Sequence, residues 1–72
     1  MTLKERRLIE EAKYYTVKFR GGSFYASQAR FAPDVLRFYG GKYFIFRGYV
    51  KLKKIKKITS HGSCVTIHVK EK

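Results

Sequence analysis

The chain has 72 residues, with 17 Lys and Arg against 5 Asp and Glu, a formal charge of +12, and 17% aromatic residues. So short a chain is expected to form a single domain, residues 1–72, burying only roughly 60% of the surface its unfolded form exposes; the core is marginal, and self-association is the natural source of further burial. One cysteine, Cys64, excludes an internal disulfide, and no apolar run approaches the roughly 20 residues of a membrane span or the pattern of a signal peptide, so a soluble cytoplasmic protein with no membrane partner is expected.

Thr2-Leu3-Lys4-Glu5 has the capping-box pattern, in which hydroxyl and carboxylate satisfy each other's free backbone N–H groups at a helix start. A helix over about residues 3–13 follows, with Arg6 and Arg7 four residues before Glu10 and Glu11, and Leu8, Ala12 and Tyr15 on the opposite stripe. From Tyr14 the period becomes two, with Tyr15, Val17 and Phe19 on one face, and Gly21-Gly22-Ser23 then supplies a tight turn. Residues 24–31 read as one returning strand. Pro33 and Asp34 break it, and a third strand covers 35–39.

Gly40-Gly41 predicts a two-residue hairpin loop. The strand over 42–50 would then show Phe44, Phe46 and Val50 on one side and Tyr43, Ile45 and Tyr49 on the other. Apolar on both faces, it is central or pressed against a neighbouring subunit, which makes Phe44, Ile45 and Phe46 candidate interface residues. In residues 51–58 apolar positions recur every third residue, a spacing that fits one helical turn, a twisted edge strand with a bulge, or a turn followed by a strand. His61-Gly62-Ser63 is a turn, and 64–70 alternates with Val65, Ile67 and Val69 inward. The fold expected is mainly β: an N-terminal helix and a strongly bent small antiparallel barrel of five or six strands over about residues 14–70.

Charge placement points to the partner. Between Ala12 and Lys70 there are thirteen Lys and Arg residues and one acid, Asp34, a field that favours a polyanion, nucleic acid before an anionic membrane. The lysine run 51–57, with Lys51, Lys53 and Lys54 foremost, has no acid among it and is suited to phosphates rather than to a merely solvated edge. Aromatic side chains interleaved with these cations offer rings on which bases can stack. His61, Cys64 and His68 fall short of a zinc set, so no metal or other cofactor is expected. With one carboxylate in the barrel, no phosphate-cradling loop and no nucleophile with a base and orienter, the chain is not expected to be an enzyme.

Two stretches carry a resemblance to a known family. Val17, Phe19 and Gly21, then Ala26 five positions on, then Phe31 ahead of Val35, Leu36 and Phe38, are similar to the first motif of the Sm and Lsm superfamily, including its bacterial Hfq branch. Ile45-Phe46-Arg47-Gly48-Tyr49-Val50 resembles the second motif, and the likeness spans about residues 3–58. Ala32 stands where the family usually has Asp, the positions after Gly48 are out of register, and 64–70 is a surplus strand unless 51–63 is an insertion. The resemblance implies an Sm-like, SH3-like barrel that assembles as a homo-oligomeric ring of about five to seven subunits and binds single-stranded RNA. It implies that Phe31 with its neighbours Arg30 and Asp34 holds a base, that Arg47, Gly48 and Tyr49 lie at a nucleotide pocket near the pore, and that the fourth strand pairs with a neighbour's fifth, bringing in Ile55 and Ile58. With Ala32 in place of Asp, the family's base preference is not carried over. A small basic barrel that binds double-stranded DNA, or a structural subunit of a larger assembly, is the alternative.

Overall fold

The computed structural model describes residues 2–70 and contains one helix followed by seven strands in two sheets. Helix α1 (Leu3–Glu11) starts at the expected capping box: the Glu5 N–H donates to Thr2 Oγ1 at 3.2 Å and the Thr2 N–H donates to Glu5 Oε1 at 2.9 Å. It ends at Ala12, whose extended backbone stops the helix just short of the expected boundary. Ile9 is its fully buried residue, with Leu8 and Ala12 half-buried beside the core. The Tyr15 hydroxyl donates to the Ile9 carbonyl and, at 3.3 Å, to that of Ala12, tying the helix end to the first strand. Burial, reinforced by Glu10, raises the Tyr15 phenol above its ordinary 10.0. No helix among the described residues is long and apolar enough to cross a membrane.

Sheet A has the order β2-β1-β7-β6, from β1 (Tyr14–Phe19), β2 (Gly22–Ala26), β6 (Ile55–His61) and β7 (Cys64–Val69); sheet B has the order β3-β4-β5, from β3 (Gln28–Phe31), β4 (Val35–Gly40) and β5 (Ile45–Lys51). Their inner faces enclose the core: Tyr15, Val17, Ala26, Val65 and Ile67 from sheet A meet Leu36, Phe38 and Val50 from sheet B. Phe38 is the hub, contacted edge-on by Tyr15 at 6.0 Å and Phe24 at 5.6 Å between ring centroids. Strands β2 and β3 are separated by Ser27 alone. They form one bent strand that pairs with β1 before the bend and β4 after it, and so joins the sheets at a corner.

The mainly β class with an N-terminal helix is present, and three features differ from the expectation. The sheets are not closed into a barrel: β5 and β6 stand at the ends of their sheets, linked by a 3-10 turn (Leu52–Lys54). The topology is not wholly antiparallel, because the β6–β7 hairpin docks through β7, which runs parallel to β1 in the register Tyr15 to Val65 and Val17 to Ile67. Docking this way sets Tyr15 and Val17 of β1 beside Val65 and Ile67 of β7, and Val65 and Ile67 reach 1% and 0% exposure. Finally, the loop after β4 is four residues, 41–44, rather than Gly40-Gly41. Gly40 is buried within β4 with the Arg47 side chain against it, and Phe44 closes the turn at φ 52°.

Candidate nucleic-acid interface

A bulge in β5 sets the chemistry of the outer face of sheet B. Leu36 pairs with Val50 and Phe38 with Gly48, but the register then shifts so that Tyr39 pairs with Phe46. Arg47 is the extra residue, and the shift brings Phe46 to the same face as Tyr49, against the simple alternation expected. The outer face therefore gathers Tyr39 and Arg37 from β4, Phe46 and Tyr49 from β5 and Arg30 from β3. Phe44, Phe46 and Tyr49 are 59%, 52% and 59% exposed, although large apolar rings ordinarily seek burial. Tyr39 and Phe46 meet edge to face at 5.6 Å.

Two concavities meet on this face at Tyr39. One, of about 640 Å³, is lined by Asp34, Val35, Arg37, Tyr39, Phe46 and Tyr49; the other, of about 220 Å³, by Gln28, Arg30, Tyr39 and Phe44. Arg30 and Arg37 are direct cross-strand partners, and Lys51 closes the same face opposite Val35. Like charges directly opposite each other destabilise a sheet, so this pairing favours an anion lying between them. Flat exposed rings beside paired guanidinium groups can stack bases and hold the phosphates that link them.

The expected site residues fall in three places. Arg30, Asp34, Tyr49 and Lys51 share the outer face of sheet B. Arg47 and Gly48 instead form the seam between the sheets: Arg47 Nε donates to the Tyr25 carbonyl at 3.2 Å, and a Cβ on Gly48 would come within 3.2 Å of Phe24 Cζ. The close approach expected at Gly48 thus serves packing. Phe31, Lys53 and Lys54 lie elsewhere again, Phe31 half-buried on the inner side, where the Arg6 guanidinium covers its ring at 4.3 Å. Lys53 lines the groove beside the helix with Leu3 and Arg6. Lys54 is half-buried and its carbonyl accepts from the Lys70 N–H at 2.7 Å.

Of the expected interface residues, Phe44, Ile45 and Phe46 are exposed, whereas Ile55 and Ile58 pack against the protein's own core. Arg37 and Tyr39 were not among the expected site residues, although the alternation of Val35 to Tyr39 places them opposite Leu36 and Phe38. A scan against family models, a search of curated proteins and a search of solved structures each returned no match to this chain.

Proposed function

We propose that the protein binds single-stranded RNA through the outer face of sheet B, as a binding module and not an enzyme. One observation carries the reading: Tyr39, Phe44, Phe46 and Tyr49 share that face with Arg30 and Arg37 while the opposite face of the same sheet supplies the core. Bases stack on the rings and phosphates are held by the arginines and Lys51. Each base–aromatic stack contributes about 1–3 kcal/mol.

An Sm-like ancestry is supported by the N-terminal helix and the bent strand β2–β3. Counting the bent strand once makes β5 the fourth strand and β6 the fifth. Among the described residues each presents an unpaired edge, as ring assembly by edge-to-edge pairing requires. The insertion of β7 between β1 and β6 is where the chain parts from that pattern. Light scattering at high salt, which removes bridging by nucleic acid, is expected to give a closed oligomer; a monomer rejects the ring but leaves the RNA face intact.

Fluorescence anisotropy with a short unstructured RNA tests the binding. Affinity is expected to fall steeply with salt, and Phe46→Ala and Tyr49→Ala are each expected to weaken it by about 1–3 kcal/mol. A weak, salt-insensitive interaction overturns the reading, as does single-stranded binding that survives both Phe46→Ala and Tyr49→Ala.

A further inference from the structure

The outer face of sheet A carries a second concentration of charge. Parallel pairing of β1 with β7 sets Lys18 beside His68, and antiparallel pairing of β6 with β7 sets Lys57 on the other flank of His68. Three cationic or titratable side chains thus stand in one cross-strand row. Lys56, at the β6 irregularity, and Arg20, just beyond β1, complete a concavity of about 340 Å³ around that row. The sequence hides the cluster, since its members come from residues 18–20, 56–57 and 68 and meet only because β7 inserts between β1 and β6. The neighbouring row of the face consists of Thr16, Thr66 and Thr59, whose hydroxyls are hydrogen-bonding groups without charge. Thr59 Oγ1 lies 3.5 Å from His68 Nε2 and steadies the ring.

We propose that this cluster is a second nucleic-acid site, which takes backbone phosphates through Lys18, Lys56, Lys57 and His68 without reading bases. It rests on the same choice of partner as the sheet B reading but on a separate face, with the core between them. Lys18 and Lys57 stand on either side of His68 with no acid in the row, and their mutual repulsion is relieved when a phosphate enters it.

His68 also makes the site responsive to pH. Burial and then Lys57, Lys18 and Lys56 hold its pKa below the ordinary 6.5, so the free site holds a neutral imidazole at neutral pH. The charged groups facing it are Lys18 and Arg20 from the β1 side and Lys56 and Lys57 from β6, with Lys70 just past the end of its own strand. A bound phosphate offsets these cations and raises the pKa, so binding takes up a proton. Affinity therefore increases as pH falls through the pKa of the bound form and levels off below that of the free form.

The probe is a short blunt-ended RNA duplex, which presents phosphates and no unpaired bases, measured beside the single-stranded RNA. In the triple variant Lys18→Gln/Lys56→Gln/Lys57→Gln the slope of log affinity for the duplex against log salt is expected to become shallower by about 0.9 for each phosphate that the variant no longer neutralises. A cooperative melt at or above the wild-type temperature, as relief of the lysine repulsion requires, confirms that the variant folds. Between about pH 7.5 and about pH 5.5 the wild-type protein is expected to gain affinity for the duplex several-fold; His68→Asn abolishes the gain and His61→Asn retains it. Wild-type affinity for the duplex in the folded triple variant, or a pH response that survives His68→Asn, overturns the second site. Loss of single-stranded binding on Phe46→Ala and Tyr49→Ala is read independently, so the sheet B reading can fail while this one stands, and the reverse.

Discussion

Phe44 illustrates how one residue can be placed against its own preference. At φ 52° it occupies the left-handed region, which is uncommon for a bulky aromatic side chain, and it leaves 59% of its surface exposed. Such strain persists where the surroundings impose it and clusters at binding sites; here the ring lines the concavity with Arg30 and Tyr39. Phe44→Gly is expected to stabilise the fold by about 1 kcal/mol in urea denaturation while weakening RNA binding, a pairing of gain and loss that separates a functional ring from a structural one. Gly48 is the opposite case. At φ 158°, with Phe24 Cζ 3.2 Å from any added Cβ, it is required by the packing itself, and Gly48→Ala is expected to lower stability by about 1–3 kcal/mol without a direct effect on the rings of the outer face.

At the scale of elements, the capping box gives helix α1 a pH dependence. Glu5 is held below its ordinary 4.5, first by the backbone hydrogen bond from Thr2. A carboxylate with a depressed folded pKa contributes stability above its unfolded value and loses it as pH falls through the folded one. Circular dichroism is therefore expected to show the helix loosening as pH falls from about 4.5, and Glu5→Gln to flatten that response. This helix start was legible in the sequence because the signal is local, lying within four residues. So were β1, β7 and the break at Pro33, where alternation or a missing N–H acts on the nearest neighbours. Within residues 42–50 Phe46 lies on the side of Tyr49 rather than of Val50, because a bulge changes the period by one residue at Arg47 and period-two counting cannot register that shift. The 3-10 turn and β6 were ambiguous for a related reason: apolar spacing of three suits both a tight turn and an irregular strand. Of the candidate site, Lys51 was legible as part of an acid-free lysine run, whereas Arg30 and Tyr49 came from the resemblance to the Sm motifs. The partnership of Arg37 with Arg30 depends on strand register, and the cluster around His68 depends on a parallel pairing that no local pattern encodes.

On the scale of the whole molecule, both sheets depend on a small shared core. Phe38 is fully buried and touches rings from β1 and β2, so Phe38→Ala is expected to lower stability by about 3–5 kcal/mol, with both sheets melting in one transition by near-ultraviolet and far-ultraviolet dichroism. With a radius of gyration of 11.1 Å and a longest extent of 31 Å, the described residues include no region remote enough from this core to survive its loss. The parallel ladder between β1 and β7 adds a temporal consequence. Tyr14 pairs with Cys64 and Lys18 with His68, so residues fifty positions apart must meet before β6 gains a place in sheet A. Ladders of such sequence separation fold slowly, because the loop must close before any pairing compensates for it. On the ribosome, β1 can pair with β2 early, but its other edge stays open until β7 has been synthesised. During that interval the nascent chain exposes Val17 and an unpaired strand edge, and protection of the β1 amides from hydrogen exchange is expected to arrive late, together with that of β7.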